Sequence, residues 1–328
     1  MVARLSNFAI VKKMILFNRD GNGAEELIGC IGMIGNGISF DTWEPIIPLG
    51  IRDVAGIIGW EPIEKLAEFY ENGCKPDEGD FPASCVIPLH RLQQAVAYFT
   101  WIKIIPTLDA GHDTNGRSKR LGENERGMTA LQEFKDEENV KRLAYEYVDL
   151  LVESLDRALY EWWTNSDRYR LREGLLVRSK ETFDMYYMTG SHRLFVTLLP
   201  IMREVQGVSI APVLGDYLGR LLENEKEVVN KLYDTAARAL VLLTMKKAIE
   251  RLPVEVIPEG IVQVQQSQPI KQRLKAEKEA REAVALSLGN DGEKQLERLA
   301  ALISELDNNE DLDGTIMGPI VHSKGLTY

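Results

Sequence analysis

From Glu123 to Trp163 apolar residues recur every three or four positions, with Met128, Leu131, Phe134, Val140, Leu143, Tyr147, Leu151, Leu155, Leu159 and Trp162 falling in one stripe. A stretch with that period forms a long amphipathic helix, and its apolar face has to be covered by other elements. This requirement sets the expected class as mainly α, a helical bundle. Other segments extend the same pattern. Leu89, Leu92, Val96 and Phe99 place a core helix over Ser84 to Ile104, ending before Pro106. Two short helices are expected over Asp53 to Gly59 and Pro62 to Asn72. Ser191 is placed to cap a helix running through Arg203. Asp216–Glu223, Glu225–Arg251, Gln268–Leu288 and Lys294–Leu306 carry further helical spacing.

Three segments break the helical period. Val11 to Phe17 suggests a short strand leading into the turn-forming run Asn18 to Gly23. Leu108 to Leu121, centred on Asp113 to Gly116, suggests a hairpin or extended loop. Leu252 to Gln266 alternates like a β ribbon.

The order of elements repeats along the chain. Phe40-Asp41-Thr42-Trp43-Glu44-Pro45-Ile46 and Phe195-Val196-Thr197-Leu198-Leu199-Pro200-Ile201 share Phe, Thr, Pro and Ile at matching positions. A short helix, a longer apolar helix, a Pro-marked β segment and a final long helix follow each copy. Two related helical halves in tandem are therefore expected, each with a short β hairpin or ribbon. The division is an N-terminal strand and turn segment over 1–39, halves over 40–165 and 174–307, and a flexible tail over 308–328. A single irregular helical fold without internal symmetry is the competing arrangement. At 328 residues the chain is long enough for either.

Charge and cysteine content narrow the function classes. With 50 acidic against 39 basic residues the net charge is −11, so the surface as a whole repels phosphate backbones and anionic headgroups. One basic cluster, Arg117, Lys119, Arg120 and Arg126, could still meet a phosphate or an acidic partner, although a solvated hairpin tip is the simpler reading. Cys30, Cys74 and Cys85 lack the spacing of a disulfide framework, which suits a reducing compartment. The N-terminal residues lack the pattern of a cleaved signal peptide. No uninterrupted apolar run of spanning length is evident, so neither export by a signal peptide nor membrane embedding is expected.

No motif names a reaction. Gly29-x-x-Gly32-x-x-Gly35-x-Gly37 has the wrong order for dinucleotide binding, and close packing or a turn accounts for it. Asp113–Gly116 and Asp311–Gly314 resemble fragments of calcium loops but lack the acidic residues at the first and last ligand positions. Cys74, Cys85, His90 and His112 have no local metal-ligand spacing. Ser191 and His192 are neighbours in sequence, and the carboxylates Asp136, Glu137 and Glu138 fit a solvated helix face. No catalytic, cofactor-binding or metal-ligating residue is assigned. The aromatic pairs are more suggestive: Trp162-Trp163 and Tyr186-Tyr187 cannot each share one helix face. One member of each pair is available to a partner subunit, with burial inside the chain the simpler alternative. With Arg193, these four are the expected interface residues.

The segments Trp101 to Leu155 and Phe183 to Gly260 resemble an uncharacterised family of proteins encoded by phages and prophages of Bacteroides and its relatives. The resemblance rests on Ile105-Pro106 before a Gly-bearing hairpin, Gly122-Glu123-Asn124-Glu125, Phe183-x-x-Tyr186-Tyr187, Ser191-x-Arg193-x-Phe195 with Pro200, Ala211-Pro212-Val213-Leu214-Gly215 and Pro258-Glu259-Gly260-Ile261. It implies a virion structural protein, similar to the small head–tail connectors that form rings beneath a phage portal. The same resemblance implies a homo-oligomer with portal and tail-completion proteins as partners and at most transient DNA contact. Such a protein would have no membrane association and would reside in the virion, and in the host cytoplasm during assembly. The length and the extended C-terminal helix depart from the usual connector. Two other classes stay open: a monomeric or dimeric helical binding module, and an enzyme whose site is not legible in the sequence.

Overall fold

The computed structural model describes residues 14–32, 38–75, 81–113, 116–119, 129–223, 229–252 and 270–314. They are mainly helical and form two compact units. The first comprises Met1–Leu171 with Ser191–Thr197, and the second comprises Arg172–Gly190 with Leu198–Tyr328.

The first unit contains α1 (Glu25–Ile31), α2 (Phe40–Trp43), α3 (Ile47–Ile58) and α4 (Glu61–Glu71). A 3-10 turn then leads into α5 (Val86–Asp109). The strands β1 (Ala110–Asp113) and β2 (Gly116–Lys119) pair antiparallel, with His112 opposite Arg117. They are followed by α6 (Ala130–Ala158), α7 (Glu161–Thr164) and α8 (Asp167–Arg170). Helix α5 is the centre of this unit. Leu92, Ala95, Val96, Ala97 and Thr100 are all fully buried, so its surface is apolar around most of its circumference rather than along one stripe. Helix α6 lies along it, with Tyr98 stacked on Tyr147 at 5.2 Å and Phe99 edge-on to Tyr145 at 5.3 Å. On another side α3 comes close enough that a Cβ at Gly50 would meet Thr100 Oγ1 and lie 2.9 Å from the Val96 carbonyl. Only glycine allows that backbone approach.

The second unit holds α9 (Lys180–Asp184), the later part of α10 (His192–Val205), a π-helical turn over Gln206–Ile210, α11 (Ala211–Leu214), α12 (Tyr217–Leu222), α13 (Val229–Arg251) and α14 (Ile270–Gly314). Pro212 lacks an N–H and its ring crowds the carbonyl four residues back, which accounts for the widened turn before it. The turn is put to use by Gln206, which accepts from Leu176 N at 2.8 Å and donates to the Gly174 carbonyl at 2.6 Å. Helices α13 and α14 pack along one another. Gly289 and Gly292 let Lys246 and Leu243 lie against the α14 backbone. Arg281 donates to the carbonyls of Ile249 and Leu252, closing the C-terminal end of α13.

Several expectations change. Helix α5 continues through Pro106 to Asp109 instead of stopping at Ile104. Thr107 Oγ1 donates to the Ile104 carbonyl at 2.7 Å, supplying a side-chain hydrogen bond where the proline has interrupted the backbone ladder. Helix α6 starts at Ala130, after a capping box in which Thr129 and Gln132 exchange hydrogen bonds, and ends at Ala158, well short of Trp163. From Ile270, where the described residues resume, the stretches expected as Gln268–Leu288 and Lys294–Leu306 form one helix, α14, because the intervening glycines are packing positions and not a break. Residues 308–314, expected as tail, belong to that helix. Met14 to Phe17 form no strand. The ribbon expected over Leu252 to Gln266 lies outside the described residues beyond Leu252.

The repeated motif adopts two different conformations. Its first copy spans the short α2 and the turn before α3, whereas its second copy lies inside α10, with Pro200 in the helix. The stretch His192–Leu214 is long and apolar enough, by length and composition, to cross a membrane, and half of its most apolar part is buried in the protein.

Candidate interaction surfaces

Helix α6 is ended by Leu159, which takes the left-handed conformation at φ 50 and ψ 42, with its N–H donating to the Leu155 carbonyl. An L-residue with a branched side chain is strained there by about 1 kcal/mol. Leu159 is also 55% exposed. The reversal turns the chain into α7, where Tyr160 stacks on Trp162 at 4.9 Å and donates to Ser84 Oγ at 2.9 Å. Helix α7 packs on α4. Between them lies a shallow groove of about 380 Å³, lined by Glu61, Glu64, Lys65 and Glu68 on one side and Trp162 and Asn165 on the other. The α4 residues share one face by their spacing of three and four. Glu61 accepts from Asp167 N at 3.0 Å and Lys65 pairs with Glu68 at 3.2 Å. Val86 and Ile87, next in sequence to the Ser84–Cys85 turn that Tyr160 touches, are 48% and 59% exposed. Leu159→Gly is expected to raise the unfolding free energy of the chain by about 0.5 kcal/mol, because relief of the left-handed strain exceeds the added freedom of the unfolded state. Urea denaturation followed by circular dichroism measures it.

Two of the residues expected at an interface are internal. Trp163 is fully buried, its Nε1 donates to Asp156 at 2.9 Å, and its ring meets the edge of Tyr169. Arg193 is only 5% exposed. Its guanidinium lies 4.5 Å from the Tyr145 ring centroid, and its backbone N–H donates to Asp149 at 2.8 Å. Burial pulls the guanidinium below its ordinary pKa, with Asp149 and Tyr145 opposing that effect. Ser191 Oγ accepts from Leu194 N and donates to Asp149, which makes it the helix cap. Trp162, half-buried, is the member of its pair that lines a surface.

In the second unit Tyr186 and Tyr187 follow α9 on a firmly held loop. Phe183 anchors it, fully buried, and its carbonyl accepts from the backbone of both tyrosines. Asp184 accepts from Thr189 N and Oγ1 at 2.9 and 2.8 Å and pairs with Lys180 at 2.7 Å. Burial opposes ionisation of Asp184, but these partners outweigh it and hold its carboxyl below the usual range. Tyr186 packs on α13, where Arg238 lies 5.5 Å from its ring. Burial, then the charge of Asp234 and a hydrogen bond with it, pushes the Tyr186 phenol well above its ordinary pKa. Burial likewise raises Tyr187. The half-buried tyrosines therefore secure the loop, while Met185 and Met188 project from it at 76% and 82% exposure. Methionine is a soft, adaptable contact residue. Neither methionine nor the acidic face of α4 stands out in the sequence, although the glutamates at 61, 64 and 68 are legible as a face once α4 is placed.

Arg117 and Lys119 lie in β2, while Arg120 and Arg126 fall outside the described residues. Among the described residues no group of three or more His, Cys, Asp or Glu is placed to hold a metal ion. Cys30 is buried, and burial pushes its thiol up to about 12, away from reactivity.

A family model described as "Family of unknown function (DUF6712)" matches residues 78–173 and 209–311, together more than half of the chain. No curated protein and no solved structure matches.

Proposed function

The chain belongs to the family of unknown function DUF6712, and we propose that it is a non-enzymatic virion structural protein, a phage head–tail connector or adaptor that works by protein–protein assembly. The observation that carries this reading is the presentation of apolar side chains on held backbone. Met185 and Met188 project from a loop fixed by Asp184, Thr189 and Tyr186. A solvent-exposed apolar pair on a rigid base suits a contact surface. The tandem arrangement belongs to the same proposal: each family-matched segment contains one pair of long packed helices, α5 with α6 and α13 with α14. The partners would be further copies of this chain together with portal and tail-completion proteins, in the virion and in the host cytoplasm during assembly.

Light scattering and negative-stain imaging of the purified chain, alone and with portal and tail proteins, test the proposal. Rings or discrete oligomers, or co-assembly with those proteins, are the expected result. A chain that remains monomeric and ignores both partners would sink it.

A further inference from the structure

The methionines that the structure describes fall into different environments. Met185 and Met188 are 76% and 82% exposed, whereas Met202 and Met245 are fully buried and Met14 is partly buried. The backbone beneath the exposed pair is fixed by other residues. Ser179 caps α9, accepting from Thr182 N at 3.2 Å. The Phe183 carbonyl accepts from the N–H groups of Tyr186 and Tyr187, both at 3.1 Å. Asp184 accepts from Thr189 across the loop and pairs with Lys180. None of these bonds involves a methionine side chain. A change of chemistry at either exposed sulfur therefore alters the surface and leaves the loop in place. At Met202 or Met245 the same change puts a polar group into the core.

We propose that Met185 and Met188 are a peroxide-sensitive modification site, whose oxidation to methionine sulfoxide switches off the contact made by this loop. The inference deepens the assembly reading above and rests on it. A sulfur lone pair attacks one oxygen of a hydroperoxide, so that an S–O bond forms and the O–O bond breaks. The second oxygen leaves as water or an alcohol, carrying the proton of the first. The thioether thereby loses two electrons and the peroxide gains them. A flexible apolar side chain becomes a polar one. An apolar contact weakens when the side chains that project into it are better solvated in water than against a partner. The step is reversible: a sulfoxide reductase with a thiol reductant restores the thioether, releasing water and leaving a disulfide. Burial shields Met202 and Met245, so mild oxidation acts on the surface pair and spares the core.

The test adds hydrogen peroxide to the full chain and follows the gain of oxygen at each methionine by peptide mass spectrometry. Met185 and Met188 are expected to react at least about tenfold faster than Met202 and Met245. Once the exposed pair has reacted and the core methionines have not, the urea midpoint is expected to be unchanged. Sedimentation velocity then measures association of the chain with itself and with portal and tail-completion proteins. It is expected to weaken by about tenfold on oxidation and to recover after reduction. Met185→Leu/Met188→Leu lacks both sulfurs, and association of this variant is compared with and without peroxide. No response is expected there. Equal oxidation rates, a lowered midpoint, association that oxidation leaves unchanged, or a response that persists in the leucine variant overturns the switch and leaves the assembly reading standing. A chain that associates neither with itself nor with those proteins overturns the assembly reading, and the switch with it, even where the exposed pair reacts first.

Discussion

Trp163→Ala is expected to lower the unfolding free energy by about 3–5 kcal/mol, the range for removing a large aromatic from a closed core. The indole is fully buried and donates to Asp156 at 2.9 Å. Its ring meets Tyr169 at 5.7 Å between centroids in an edge-on arrangement. Truncation leaves a cavity, removes an aromatic contact and takes a hydrogen-bond donor from a carboxylate that also has His192 Nδ1 at 3.7 Å. Helix α7 is only four residues long, too short to persist through its own hydrogen bonds. Trp163 is the anchor that keeps it folded against α4, and with it the wall of the groove that carries Trp162. Trp163→Phe, which retains a ring but not the donor, is expected to lose less, about 1–2 kcal/mol. Urea denaturation of the isolated chain distinguishes this from an interface role: a contact residue would leave the denaturation midpoint unchanged and alter only association.

The pairing of Trp162 with Trp163 illustrates what the sequence makes legible. Adjacent residues on a helix face different ways, so the two had to differ in environment, and they do. Which of them is internal depends on the end of α6. That end is a left-handed leucine, where the usual marker is glycine or asparagine, and nothing in the apolar period shows that the stripe stops at Ala158. The same limit applies at Pro106, where a proline that ordinarily closes a helix is tolerated beside the Thr107 hydroxyl bond. Gly289 and Gly292 look like a helix break when propensity alone is weighed, whereas their lack of a side chain is what brings α13 and α14 close. Periodicity identifies the long buried helices because burial is a property of the whole segment. Helix ends and close approaches are set by single atoms, and those depend on what the chain meets in space. The shared Phe-x-Thr-x-x-Pro-Ile shows the same dependence: one sequence pattern straddles a turn before α3 and continues uninterrupted through α10.

Arg193 shows how a charged residue suggested as a surface contact can instead be part of the core, and Asp149→Ala tests that role. The guanidinium is 5% exposed, and burial lowers its pKa against the influence of Asp149 and Tyr145. Asp149 supplies a negative charge from α6 and accepts from both the Ser191 hydroxyl and the Arg193 backbone N–H at the start of α10. Removing that carboxylate leaves a buried cation with less compensation and deprives a buried hydroxyl of its acceptor. The expected loss is about 2–3 kcal/mol, as for leaving a buried hydroxyl and a backbone N–H without a charged acceptor. Ser191→Ala, which removes only the cap and its hydrogen bond, is expected to cost about 1 kcal/mol. Asp149→Asn lies between them, because the amide oxygen preserves an acceptor while the charge is lost. The order of the three midpoints in urea decides between causes. If Asp149→Asn equals the unaltered chain, the hydrogen bonds hold residues 191–197 to α6 and the charge does not. If it falls close to Asp149→Ala, most of the loss comes from the missing negative charge of Asp149, which opposes the effect of burial on the Arg193 guanidinium.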